Sequence, residues 1–237
     1  MIGPLPETYQ ETRASLHRLA TYVIAPARRV VNDQITLRST PGGFGTPPFG
    51  PTDRRIRVEG TDLVVEDAGS SRREPITTLS AAGLFAGIAP DVALQEQFDV
   101  PPHGDLDAPL PIDAAAARGL AEWFAFAFDV VDELRDEAAA ADDPTPHVRL
   151  WPEHFDAAID LGAGDRRGTY GASPGDRHHG KPYLYASVWA GPPADPFWNA
   201  EGFRGAWLRY DDLLARDDRR AAALDFFHTA RRLALGA

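Results

Sequence analysis

Cysteine is absent from the 237 residues. Its absence excludes a disulfide scaffold, a thiolate zinc site, an iron–sulfur protein and a cysteine nucleophile. Lysine occurs once, as Lys181, and every other basic residue is arginine. With heavy alanine use, this reads as the codon bias of a GC-rich genome rather than as recognition chemistry. Positive charge is scarce too: 24 Lys and Arg stand against 35 Asp and Glu, a net charge of −11. Binding to a phosphate backbone depends on clustered cations, so no nucleic-acid partner is expected. No apolar run approaches the roughly 20 residues that span a bilayer, so no membrane partner is expected. The start, MIGPLPETYQETR, lacks a basic segment followed by an apolar one, so no secretory leader is expected and a cytoplasmic location is the default.

What is present suits a globular chain, long enough for one large domain or two small ones. Four of the five tryptophans (Trp151, Trp189, Trp198 and Trp207) lie in a 57-residue stretch of the C-terminal half. Residues 7–31 read as an amphipathic helix, with Tyr9, Thr12, Leu16, Leu19, Val23 and Val30 along one stripe. Pro26 lies inside this pattern and predicts a kink or break near Ala25. A strand begins at Ile35 and Leu37, then PGGFGTPPFGP (41–51) reads as an irregular loop. Arg54 to Val58 and Asp62 to Glu66 form a hairpin around Glu59-Gly60-Thr61, followed by polar connection over 68–75. Thr78 to Ile88 reads as a short helix with Leu79, Leu84, Phe85 and Ile88 inward.

Asp113 is an expected N-cap for a long helix to about Ala140, whose Trp123, Phe124, Phe126 and Phe128 want cover on several sides. It is expected to stop at Asp142-Asp143-Pro144. Further strands are expected over His147 to Leu161, Arg167 to Gly171, Tyr183 to Trp189 and Gly205 to Arg209, before a final helix capped by Asp217 or Asp218. Helices and strands do not alternate regularly. The fold class is therefore α+β: antiparallel sheet packed against a long central aromatic-rich helix, plus N- and C-terminal helices. Residues 1–237 are expected to form a single domain, with a pseudo-two-lobed division, if any, near the Pro-rich stretch 90–111.

The densest chemistry lies in LWPEHFDAAIDL (150–161). On one continuous strand, Phe155, Ala157, Ile159 and Leu161 would face the core, with His154, Asp156, Ala158 and Asp160 opposite. His154 and Asp156 as neighbours suit a carboxylate orienting an acid–base imidazole, or two ligands of one metal. The same His-x-Asp spacing equally suits an ordinary solvent-facing strand. In the next strand Tyr183, Tyr185, Ser187 and Trp189 alternate with Leu184, Ala186 and Val188, giving an aromatic face and an aliphatic one. If this strand pairs with 154–161, the aromatic face lies beside His154 and Asp156; the aromatics would alternatively pack on the long helix.

Between these strands, GAGDRRGTYGASPGDRHHGKP reads as an overlong connection of the kind that is often functional. Pro174-Gly175 suits a type II turn. Asp176 and one of His178 and His179 would complete a metal set with His154 and Asp156, a divalent ion held by nitrogen and oxygen. A plain exposed loop is the alternative. Lys181, before Pro182 and without apolar neighbours, reads as solvated. Trp198 in FWN (197–199) would close over a ligand or plug a gap. No nucleotide or flavin signature or HExxH helix is present. His17, His103 and His228 have no partner identifiable from sequence.

LWPEHFD (150–156), YGASPGD (170–176), PYLYASVW (182–189), FWN (197–199) and ALDFFHTARRL (223–233) together resemble an uncharacterised bacterial family common in actinobacteria. The N-terminal helix and TPGGFGTPPFG fit it as well, so the resemblance spans most of the chain. It implies one co-linear unit and supplies no activity, cofactor or catalytic residue.

The leading expectation is an enzyme or enzyme-like protein acting on a small organic molecule. His154 and Asp156 are the expected catalytic pair, metal-assisted if a divalent ion is bound. Trp151, Tyr170, Asp176, Tyr183, Tyr185, Trp189 and Trp198 are the expected ligand-binding residues. The alternatives are a non-catalytic binding module using the same aromatic cleft, and an interaction protein whose aromatics form a homo-oligomer interface.

Overall fold

A computed structural model describes residues 2–97, 100–140 and 145–236. It contains two five-stranded antiparallel sheets together with helices, so the α+β class holds. Contacts divide the chain into two compact units, Met1–Ala125 with Leu150–Phe155, and Phe126–Arg149 with Asp156–Ala237. The stretch 90–111 lies wholly inside the first unit and is not where the chain divides. Among the described residues no helix is long and apolar enough to cross a membrane.

In the first unit, α1 (Tyr9–Leu19) passes through a π-helical turn (Ala20–Ile24) into α2 (Ala25–Asn32) without a break. Ala25 donates its amide to the Ala20 carbonyl, the wide i→i+5 bond of a π turn. Pro26 has no N–H for the Tyr22 carbonyl, and that oxygen instead accepts from the Asp91 amide at 2.9 Å. The expected break is thus absorbed. Val30, placed on the inward stripe by spacing, is 76% exposed.

Strands β1 (Arg38–Thr40), β2 (Gly43–Gly45), β3 (Arg55–Glu59), β4 (Asp62–Asp67) and β5 (Ser70–Pro75) form an antiparallel meander in that order. Two of them fall where sequence predicts irregular chain. In β2, a Cβ on Gly43 or Gly45 would overlap β3, so glycine here permits close strand approach rather than a loop. In β5, all six residues are exposed, so no apolar alternation signals the strand. The β3–β4 hairpin forms as expected, with Glu59 opposite Asp62.

Helix α3 (Leu79–Ala86) is capped by the Thr78 hydroxyl, which accepts from the Ala81 amide at 3.0 Å. Leu84 faces outward, 84% exposed, against expectation. Leu79, Ala82, Phe85 and Ala86 define the buried side, and Leu84 lies about 140° around the helix from Leu79. A short α4 (Leu94–Gln97) follows, and α5 (Ala114–Ala140) begins at Asp113, whose Oδ1 accepts from the Ala116 amide at 2.8 Å. The expected stop at residues 142–144 lies outside the described residues.

The first unit's core is aromatic. Phe44, Phe124 and Phe155 meet edge to face, with centroids 5.0, 5.2 and 5.9 Å apart. His17 stacks flat on Phe155 at 4.8 Å, and its Nε2 donates to the Pro152 carbonyl at 2.9 Å. Burial drives its pKa down to about 3, the nearby Arg13 charge adding to the effect, so the ring is neutral. β6 (Arg149–Trp151) is followed by a turn in which the Phe155 amide donates to the Trp151 carbonyl at 2.6 Å.

In the second unit, β7 (Asp156–Leu161), β8 (Gly168–Ser173), β9 (Tyr183–Val188) and β10 (Gly205–Arg209) are successive antiparallel neighbours. The connection that looked overlong contains β8, which leaves two short loops. α6 (Tyr210–Leu214) and α7 (Arg219–Leu235) end the chain, and the Asp218 carboxylate caps α7 by accepting from Ala221 at 2.9 Å. α7 covers the aliphatic side of this sheet, with Phe227 against Tyr170 at 6.3 Å. Arg220 and His228 of α7 reach Asp129, Glu133 and Glu137 of α5.

Candidate functional site

Register decides which side chains share a face. Gly171 lies opposite both Ala158 and Tyr185, and Tyr185 lies opposite Trp207. One face of the second sheet therefore carries Asp156 and Asp160 from β7, Thr169 and Ser173 from β8, Tyr183 and Tyr185 from β9, and Trp207 from β10. The other face carries Ile159, Tyr170, Leu184 and Val188, all buried. The aromatic–aliphatic alternation of β9 is as the sequence predicts. Its partner is not: β9 pairs with β8 and β10, with β8 standing between it and β7.

Tyr185 spans that gap. Its ring lies over Gly171, where a Cβ would come within 2.6 Å of it, and its hydroxyl donates to Asp156 Oδ2 in a short hydrogen bond. Burial first, then the Asp156 charge and hydrogen bond, push the phenol pKa well up. Tyr183 repeats the arrangement at the strand's start, donating to Asp176 Oδ2 at 2.7 Å. Its pKa rises for the same reasons, burial again the largest.

Asp176 is a loop organiser. Its Oδ1 accepts from the His178 and His179 amides at 2.6 and 2.8 Å, and its own amide donates to the His179 carbonyl at 2.8 Å. Burial alone would raise its pKa, but the hydrogen bonds from Tyr183, His179 and His178 outweigh it and hold the carboxyl below the usual range. Gly175 has a φ of +96°, in the left-handed region that glycine enters freely.

Four rings close a circuit on this face. Tyr183–Tyr185, Tyr185–Phe203, Phe203–Trp207 and Trp207–Tyr183 have centroid separations of 6.3, 6.2, 6.4 and 5.7 Å. All four are partly exposed. His179 packs on Tyr183 and Trp207 at 5.6 and 5.2 Å. Phe203 and Trp207 are absent from the expected ligand-binding set. The alternation Gly205, Trp207, Arg209 was a signal for Trp207, but nothing in the sequence points to Phe203, which folds back over Gly205 from a loop.

The remaining expected residues lie elsewhere. His154 is exposed in the turn before β7, because Phe155 adopts a left-handed φ of +57° and ends the alternation that would have put His154 on a strand face. Trp151 is half-buried in β6. Tyr170 is buried on the aliphatic face against α7, opposite to the tyrosines it was grouped with. Trp189 stands at the far end of the face, 58% exposed, its indole donating to Thr169 Oγ1 at 3.1 Å and its ring beneath the Arg167 guanidinium at 4.0 Å. Trp198 packs on Phe197, which touches Phe226 of α7, and its buried Nε1 has no hydrogen-bond partner among the described residues.

The His178 ring is exposed and accepts from Arg177 Nε at 3.0 Å. Lys181 is solvated and paired with Asp211 at 2.7 Å. Among the described residues no three His, Asp or Glu side chains gather to hold a metal ion, so the set His154, Asp156, Asp176 and His178 or His179 is not assembled.

What this face offers is neutral phenols, carboxyl groups behind them, and ring surface. A phenol that donates to a carboxylate and resists ionisation is a poor base. It is a well-fixed donor and wall. No family model, curated protein or solved structure matches the chain, so the chemistry of these side chains is what bears on function.

Proposed function

We propose that the chain is a small-molecule-binding protein whose site is the aromatic–carboxylate face of the second sheet. The observation that carries this reading is the Tyr185 ring laid across Gly171 with its hydroxyl on Asp156. Glycine at that strand position weakens β structure, and here it makes room for a ring that joins three strands into one rigid surface. Tyr183 on Asp176 fixes a second ring beside it. Partly exposed rings of fixed orientation provide contact area at low entropic cost. An acid–base role for His154 loses its orienting carboxylate, since Asp156 instead accepts from Tyr185, so binding is favoured over catalysis. The setting is taken to be the cytoplasm.

A panel of small aromatic and amine fragments, titrated against the full chain while amide chemical shifts are recorded, tests this. Saturable shifts clustered in residues 168–188 and 203–209, lost in Trp207→Ala and kept in His154→Ala, are expected. Shifts that cluster elsewhere, or none from any fragment, would overturn the assignment.

A further inference from the structure

We infer that this face takes a small organic ammonium ion, quaternary or methylated; the inference rests on the binding reading above. The four-ring circuit of Tyr183, Tyr185, Phe203 and Trp207 has sides of 5.7 to 6.4 Å. A point central to such a circuit lies within about 6 Å of every centroid, the range over which a ring quadrupole attracts a cation. Tyr183 donates to Asp176, whose carboxyl is held below the usual range, and this pushes electron density into the ring and strengthens the attraction.

The chain already places cations on the indoles of this face. The Arg209 guanidinium lies 4.5 Å over Trp207, and that of Arg167 lies 4.0 Å over Trp189. Asp176, its carboxyl held below the usual range, stands at the hydroxyl end of Tyr183, where it favours a cationic ligand and repels an anionic one. Alkylation of the nitrogen fits the donors present. The circuit itself presents ring surface, which suits a methylated ammonium with few or no N–H groups to satisfy.

The test titrates the full chain with choline chloride, with dimethylbutanol (the uncharged carbon isostere of choline) and with sodium chloride at matched ionic strength. Amide shifts in residues 168–188 and 203–209 and tryptophan fluorescence are the readouts. Choline is expected to bind saturably and at least about tenfold more tightly than the isostere. Phe203→Ala weakens it by about tenfold, while Trp207→Phe, which keeps a ring, retains binding. Equal binding of choline and the isostere overturns the inference. So does a choline response no larger than that of sodium chloride while an uncharged aromatic fragment still shifts the same amides, an outcome that leaves the binding reading intact. Silence from choline and every fragment removes both.

Discussion

The Tyr185 hydroxyl bonds to Asp156 from two strands away, across a position of β8 that lacks a side chain, Gly171. A residue that would ordinarily sit over its own strand thereby ties β9 to β7. Gly171→Ala is therefore expected to displace the Tyr185 ring and to destabilise the fold by about 1–3 kcal/mol, as overpacking does. Gly3→Ala, where an added Cβ meets nothing within 4 Å, is the control and should leave the thermal midpoint unchanged.

The two tyrosines should resist ionisation. In the unfolded chain a phenol titrates near pH 10, and in the native state both are pushed higher by burial and by their aspartates. Because the folded pKa values are raised, their stabilising contribution is complete below the unfolded value and is lost as pH climbs above it. Ultraviolet titration of native protein should show both among the late-titrating phenols. Tyr185→Phe should remove one, and should flatten the fall of stability on the alkaline side.

His17 sets the acid limit of the first unit. Its pKa is lowered from 6.5 to about 3, so below pH 6.5 the unfolded chain takes up a proton that the native ring refuses. Stability is full above that pH and falls by about 1.4 kcal/mol per pH unit as pH descends toward the folded value. His17→Gln keeps a donor for the Pro152 carbonyl but cannot titrate. Urea midpoints measured from pH 7 to pH 4 should fall steeply in the native sequence and more gently in the variant.

Asp176 makes a prediction that separates charge from hydrogen bonding. Asp176→Asn retains an oxygen for the His178 and His179 amides, so the loop should hold while the Tyr183 titration moves back toward its ordinary value. Asp176→Ala removes both functions, and hydrogen exchange of those two amides should accelerate. Retained protection in the alanine variant would show that the loop holds without Asp176.

Leu84 and Phe85 are adjacent and opposite in burial. Phe85→Ala should cost about 3–5 kcal/mol, whereas Leu84→Ser should change stability by no more than about 0.5 kcal/mol. Chemical denaturation of the two variants checks this.

The sequence was legible where a pattern had one physical reading. Asp113 and Asp218 as caps, the hairpin at Gly60, and the two-faced alternation of Tyr183 to Val188 all depend on local chemistry, and each is where it was expected. It was misleading where one residue changed the phase. Phe155 in a left-handed conformation ended the strand pattern, which separated His154 from the face that Asp156 occupies. Nothing in the residue type signals this, because phenylalanine seldom adopts that conformation. The site lost a histidine for that reason, and it gained Phe203 through a loop whose path no spacing rule encodes. β2 and β5 escaped notice for opposite reasons, the one being built of glycine and the other wholly polar.

The exposed strand β5 has a consequence for how the molecule lives among its copies. It is an edge strand of the first sheet, and an edge is a row of hydrogen-bonding groups onto which a foreign strand can zip. Arg72, Arg73 and Glu74 crowd that margin with charge, and Pro75 closes it with a residue that has no amide to give. Illegible as structure in the sequence, this polar run works as a selvage: it finishes the sheet so that it does not unravel into fibre.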